Sequence, residues 1–159
     1  MLELQTELNA TAEQILFALR AGRFSHYRVP LKGAMLRLLR RAWKESYDNT
    51  GSFATPRWAP LSPRTIREKI RLGFGRKPIM RRTDRLYRSL TLQAKTRDGI
   101  VRVSETTLEV GTAVPYAAFH QRGGRILPRR QVLPDPAPKT LAEGARKILR
   151  DWIVEGRGA

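Results

Sequence analysis

Apolar residues recur at helical spacing in several parts of this 159-residue chain. In residues 4–19 they fall at every third or fourth position, which predicts an amphipathic helix that packs on a core. The same spacing runs over residues 31–47, and Pro30 directly before it suits the first turn of a helix. We therefore predict a second, strongly patterned helix from Pro30 onwards.

Two shorter helices are marked by the residues at their ends. In "LSPRTIREKIRLG", Ser62 is a cap, Pro63 fits the first helical position and Gly73 suits the end of the helix. Thr83 and Asp84 open the next short helix, with Asp84 well placed at the positive end of its dipole.

After the second short helix the period changes from 3.6 to 2. The stretches "LTLQA", "GIVRV" and "TLEVG" alternate or carry β-branched residues, and turn-forming residues separate them. They predict a three-stranded antiparallel meander. Helices, a small sheet and a further helix make the expected fold class α+β.

The C-terminal part predicts a last helix. Thr140 and Glu143 have the spacing of a capping box, and the apolar stripe that follows should end near Gly156. With residues 1–29 as an N-terminal helix and loop, we expect one domain over residues 1–159.

The chain is strongly basic, with 31 Lys and Arg against 14 Asp and Glu and a formal net charge of +17. Such a charge attracts polyanions or acidic protein surfaces. Arg37, Arg40, Arg41 and Lys44 share one face of the second predicted helix, which cannot neutralise all of them internally. This face is either a solvated surface or a basic docking face for an acidic partner.

The sequence offers few groups for catalysis or metal binding. It has no cysteine, its two histidines are His26 and His120, and its acidic residues are scattered singly. We therefore expect no catalysis, no cofactor and no metal, with a metal-dependent nuclease built from dispersed acids as a weak alternative. Apolar runs are too short to span a membrane and the N-terminal residues do not resemble a signal peptide, so we expect no membrane contact.

Three separated blocks follow one another along the chain. They are "W-x-P-L-S-P-x-T" at 58–65, "IMRRTDRLYRSL" at 79–90 and "YAAFHQRGG" at 116–124. In this order they resemble the phage virion morphogenesis proteins, which include tail completion proteins of Mu-like and P2-like phages. The second block is similar to the family's I-L-x-x-T-G-x-L-x-x-S, from which Met80 and Asp84 depart.

The third block is similar to the family's Y-A-x-x-H-Q-x-G and is followed by a segment similar to P-A-R-P-F-L, in which Pro128, Arg130 and Leu133 fit. The resemblance covers roughly residues 30–155. The family-motif residues, which are also the candidate interface, are Trp58, Pro60, Leu61, Ser62, Thr65, Thr83, Leu86, Ser89, Tyr116, His120, Gln121, Gly123, Pro128 and Arg130.

The resemblance implies a structural protein that completes the tail or joins head to tail at the neck, as a homo-oligomeric ring. It implies a place in the virion, at the neck or tail end, and in the host cytoplasm during assembly. The implied partners are other copies of the chain, other neck, tail or connector proteins and packaged DNA, with no small-molecule substrate. A basic nucleic-acid-binding accessory protein is the alternative.

Expectations also attach to residues near the blocks. Trp58 should plug a gap in its own domain, and Pro60 and Pro63 should make its loop a rigid connector. His120 is either a structural histidine that hydrogen-bonds a nearby loop, or a pH-responsive or catalytic one. Part of segment 123–133 should be mobile in the free subunit and ordered against a neighbour.

Overall fold

The fold is known from a computed structural model, which describes residues 27–52, 57–75, 77–92, 96–133 and 138–155. Its elements are, in chain order, α1 (Arg28–Pro30), a π-helical turn (Leu31–Met35), α2 (Leu36–Asp48), α3 (Pro63–Arg71), α4 (Arg85–Thr91), β1 (Gly99–Val103), β2 (Leu108–Thr112), α5 (Ala117–Arg122) and α6 (Lys139–Glu155). The two strands pair as a small antiparallel sheet. The predicted α+β class is confirmed.

The strongly patterned helix is confirmed, and it begins slightly before Pro30. From α1 to α2 the chain is helical without a break, with one π-helical turn inserted. Pro30 is buried in the first turn, where its missing N–H leaves no helical hydrogen bond unmade. The helix predicted over residues 4–19 lies outside the described residues.

The sheet has two strands in the described chain, whereas the sequence predicted three. Leu90 and Thr91 were expected to open the first strand, but they finish α4. Leu86 and Leu90 lie one helical turn apart and are both almost fully buried, so their helical spacing prevails over the short alternation that begins at Leu90.

α6 confirms the predicted last helix but not its capping box. The backbone N–H groups of Leu141 and Ala142 both donate to the carbonyl of Pro138 at 3.0 Å. The helix therefore begins before Thr140, which lies inside the first turn and cannot serve as the N-cap partner of Glu143.

The described residues group into two compact units. The first unit contains residues 27–40, 101–110 and 138–155, and the second contains the rest of the described chain. One domain over residues 1–159 stays a prediction.

The core of the first unit is apolar. Leu31, Met35 and Ala145 form its buried centre. The partly buried side chains that pack against this centre are Tyr27, Leu38, Val103, Leu108, Ile148 and Leu149. Fully burying a large apolar side chain contributes roughly 1.5–3 kcal/mol, so hydrophobic burial is the main stabilising term in this unit.

The core of the second unit contains a row of aromatic rings. Tyr47 lies edge-on to both Trp58 and Tyr87, with ring centroids 5.1 and 5.3 Å apart. The indole N–H groups of Trp43 and Trp58 donate to the carbonyls of residues 132 and 131 at 3.2 and 2.8 Å. Trp58 is 5% exposed, which confirms that it fills a gap in the fold.

Candidate functional site

A cavity of about 640 Å³ in the second unit brings the three sequence blocks together. Its lining contains residues of each block, although the blocks are far apart in the sequence. The predicted motif residues in the lining are Pro60, Leu61, Ser62, Thr65, Thr83, Tyr116, His120, Pro128 and Arg130. Most of the motif residues therefore surround one cavity, and the others, such as Leu86 and Ser89, do not line it.

The first block forms a fixed entry to α3, as its end signals predicted. The backbone N–H of Thr65 donates to the hydroxyl of Ser62 at 3.2 Å, and Pro63 occupies the first helical position. Beyond the end of α3, Gly73 adopts φ +75°, a conformation that glycine reaches without steric cost.

Arg130 ties the third block to the first. Its guanidinium donates to the carbonyl of Ala59 from Nε at 3.2 Å and from Nη2 at 3.1 Å, and to the carbonyl of Pro60 at 3.3 Å. The residue is 5% exposed, and burial lowers the pKa of its guanidinium. No carboxylate among the described residues forms an ion pair with it.

Lys69 is a second buried cation at the same cavity. It is 8% exposed, and its ammonium donates to the carbonyls of Lys77 and, at 3.2 Å, Pro78. Burial lowers the pKa of this ammonium, and within the described ranges it too lacks a carboxylate partner. Lys69 was not predicted as a site residue from the sequence, because lysine is normally exposed and nothing in its spacing indicates burial.

The two departures from the family pattern in the second block share a backbone feature. Met80 and Asp84 adopt φ of +63° and +58°, where an L-residue is strained and glycine is not. Asp84 precedes α4, as predicted, but its side chain does not cap the helix. Its carboxylate accepts from Lys77 Nζ at 2.5 Å and Arg81 Nε at 2.8 Å. Burial opposes its ionisation, yet these bonds hold its pKa below the usual value.

Gln121 holds the third block in place. Its Oε1 accepts from the backbone N–H groups of residues 132 and 133 at 2.7 and 2.9 Å, and its Nε2 donates to the carbonyl of residue 133 at 3.1 Å. Gly123 has φ +71°, and a Cβ there would lie 2.8 Å from the backbone nitrogen of Arg129. The loop is therefore closed at its base, and Ile126 within it is 95% exposed.

His120 lies half-buried against Tyr116, with ring centroids 6.1 Å apart. Its Nδ1 is buried and has no hydrogen-bond partner among the described residues, so the expected bond to a nearby loop is not formed by this atom. Burial and the charge of Arg130 lower the pKa of His120, which favours the neutral ring at neutral pH. A pH-responsive role stays a prediction.

Other motif residues are buried in the fold of the second unit. Leu86 packs in its core, and the hydroxyl of Ser89 donates to the Leu86 carbonyl at 2.7 Å and lies 2.7 Å from the hydroxyl of Thr112. The interface role of the whole motif set stays a prediction.

The predicted basic docking face lies on α2. Arg37 and Arg41 are exposed and form no ion pair with any residue in the described part of the chain. Arg40 is half-buried, which lowers the pKa of its guanidinium. Lys44 binds Asp48 one turn further on at 2.7 Å, so the helix neutralises part of this face itself.

Within the described ranges, no three His, Asp or Glu side chains are grouped as metal ligands, and no helix is both long and apolar enough to cross a membrane. The absence of a cofactor and of catalysis stays an expectation.

A sequence model of the phage virion morphogenesis family matches residues 11–149. This range contains all three blocks and every residue that lines the cavity. No curated protein and no solved structure matches the chain.

Proposed function

The chain belongs to the phage virion morphogenesis family, and on this premise we propose that it completes the tail or joins head to tail at the neck, as a ring of identical copies. The observation that carries the proposal is the convergence of the three family-like blocks on one cavity. Concave surfaces with apolar lining, and large exposed apolar side chains beside them, are typical of sites that bind other molecules.

Exposed apolar side chains on the elements around the cavity support a protein partner. Phe119 and Ile126 belong to the third block and the loop after it, and Ile66 and Ile70 lie on α3. All four are exposed, with Phe119 at 67%. Contact with a neighbouring protein would remove this apolar surface from water.

The fixed geometry of the blocks suits a ring subunit. Ser62 caps α3, Arg130 binds the loop before it, and Gln121 closes the third block. In a closed ring every subunit must repeat the same angle, so a rigid contact surface favours closure. The proposed partners are other copies of the chain and neighbouring neck, tail or connector proteins, in the virion and in the host cytoplasm during assembly.

Deletion of the gene from its phage tests the proposed function. Negative-stain electron microscopy of the lysate should show separate full heads and unattached tails, and the wild-type gene supplied on a plasmid should restore joined particles. Native mass measurement of the purified protein tests the ring. Normal joined particles after deletion would contradict the joining role.

A nucleic-acid-binding accessory protein is the second candidate, favoured by the exposed Arg37 and Arg41 on α2. It predicts that duplex affinity falls steeply with salt. The double change Arg37→Gln and Arg41→Gln should then weaken DNA binding far more than the charge-matched pair Arg64→Gln and Arg67→Gln on α3. Equal losses from both pairs would argue for nonspecific attraction to a basic protein.

A further inference from the structure

The cavity in the second unit contains two buried cations that no acidic residue of the described chain pairs with. Lys69 and Arg130 are 8% and 5% exposed, and the hydrogen bonds of their side chains go to backbone carbonyls. Carbonyl dipoles compensate only part of what a buried charge loses on leaving water, so such cations are normally paired with an anion. Within the described chain, the charges of these two side chains are therefore met by carbonyl dipoles alone.

The acidic residues of the lining do not neutralise Lys69 and Arg130. The carboxylate of Asp84 is already bound by Lys77 and Arg81. Glu68 is exposed on α3 and forms no ion pair with a described residue. A carboxylate from outside the unit would therefore meet two cations that no described acid neutralises.

The rest of the lining is largely apolar. Leu61, Phe74, Ile79 and Leu127 are partly buried in it, and Ile126 is almost fully exposed beside them. An occupant that suits both parts needs a negative charge and a large apolar group close together. DNA phosphates supply the charge but no apolar side chain, so the lining favours a protein segment.

We propose that this cavity binds a segment of a neighbouring virion protein in which an Asp or Glu lies next to a large apolar side chain. The carboxylate binds Lys69 and Arg130, and the apolar side chain packs against Leu61, Phe74 and Ile126. This inference rests on the proposed role in the particle, because it names the chemistry of the partner that the site receives.

A blocked dipeptide, acetyl-Leu-Glu-amide, tests the chemistry on the full-length protein. Titration into ¹⁵N-labelled protein should shift the backbone amide signals beside the cavity, which are those of Ala59, Leu61, Ser62, Ile126, Leu127, Arg129 and Arg130. Acetyl-Leu-Gln-amide should bind at least about tenfold more weakly, since loss of one member of a buried charge pair costs that much or more. No shift in these signals, or equal binding of inorganic phosphate, would overturn the proposal, and the second result would favour DNA phosphate as the ligand.

Matched variants on α3 assign the binding to the buried cation. Lys69→Met keeps the apolar stem and removes the charge. It should lower the affinity for acetyl-Leu-Glu-amide by about tenfold or more. Arg67→Met removes the same charge from an exposed position outside the cavity and should change nothing. Equal affinities in the two variants would overturn the assignment.

Ile126→Ser provides a test that does not depend on a buried substitution, because this residue is on the surface. It should leave the unfolding midpoint unchanged and weaken binding of the dipeptide several-fold, because the ligand covers only part of this one apolar side chain. Unchanged binding would contradict the apolar half of the site.

The same variants in the phage separate this inference from the proposed function. Lys69→Met should give unjoined heads and tails, while Arg67→Met gives joined particles. If gene deletion separates heads from tails but Lys69→Met assembles normally, the docking inference fails and the joining function stands. If deletion leaves particles normal, the joining function fails, and the dipeptide titration still decides the chemistry of the cavity.

Discussion

The two units of the chain bury different kinds of residue. Every buried polar or charged residue in the described part of the chain lies in the second unit, namely Ser46, Lys69, Asp84, Ser89, Arg130 and Gln131. The buried residues of the first unit are apolar. Apolar burial is non-directional and tolerant of small shifts, whereas buried hydrogen-bonded groups hold loops in one geometry. We therefore expect the second unit to hold its surface loops in a more fixed geometry than the first unit holds its own.

The largest expected effect comes from removing the aromatic centre of the second unit. Trp58→Ala should lower the free energy of unfolding by about 3–5 kcal/mol, because it leaves a large cavity beside Tyr47 and removes the indole N–H that donates to the carbonyl of residue 131. Urea unfolding measures it. The exposed Phe119→Ala is the control and should cost under about 0.5 kcal/mol. Similar costs for the two variants would show that the ring at Trp58 is not central to the unit.

The same contrast explains what could be predicted from the sequence. Helical periodicity identified the apolar stripes of the first unit, because regular burial leaves a regular pattern. In the second unit, the capping residue Ser62 and the helix-starting Pro63 were sufficient to predict where α3 begins. The family resemblance identified residues that line the cavity. The burial of Lys69 and the positive φ of Met80 could not be predicted, because they depend on contacts distant in sequence and leave no local pattern.

Asp84→Asn tests the buried charge cluster of the second unit. It should lower the free energy of unfolding at neutral pH by about 1–3 kcal/mol, because Lys77 and Arg81 lose a charged acceptor. The folded pKa of Asp84 is depressed, so its contribution is complete above the ordinary Asp pKa of about 3.9 and is lost as pH falls through the folded value. The wild type should therefore lose more stability than the variant below about pH 4, measured by urea unfolding at several pH values.

The backbone at this position supplies a control. Asp84→Gly and Asp84→Ala both remove the carboxylate, but only glycine accepts φ +58° without strain. Glycine should be the more stable of the two by about 1 kcal/mol. Equal stabilities would mean that the backbone relaxes there and that the family pattern's glycine has another cause.

A pair of tryptophan substitutions compares the hydrogen bonding of the two units. Trp58→Phe removes an indole N–H that donates to Gln131 in the second unit. Trp152→Phe removes a buried N–H of the first unit that has no partner among the described residues. The first change should cost about 1 kcal/mol more than the second in urea unfolding, since only the first removes a hydrogen bond made within the described chain. A larger cost at Trp152 would reveal a partner for its N–H.

His120 should make a small contribution to the pH dependence of stability. Its folded pKa is lowered, so below about pH 6.5 the unfolded chain binds the proton more readily than the folded chain. The free energy of unfolding therefore decreases as the pH is lowered. One such group contributes a slope of at most about 1.4 kcal/mol per pH unit. His120→Gln should flatten the curve between about pH 7 and 5. An unchanged slope in His120→Gln would show that the ring titrates alike in both states.

The smallest change in the free energy of unfolding is expected at a position of the first unit where a neighbouring side chain can move aside. In α6, a Cβ at Gly144 would lie 3.2 and 3.3 Å from the methyl carbons of Leu38, the far end of a half-buried, flexible side chain. A slight rotation of that side chain makes room, so Gly144→Ala should raise the free energy of unfolding by about 0.5 kcal/mol through helix propensity. In the second unit, Gly51→Ala should instead destabilise, because φ is +85° and its Cβ would lie 2.4 Å from the ring of Trp58. If both changes destabilise, the first unit is packed as strictly as the second and the contrast between the two units fails.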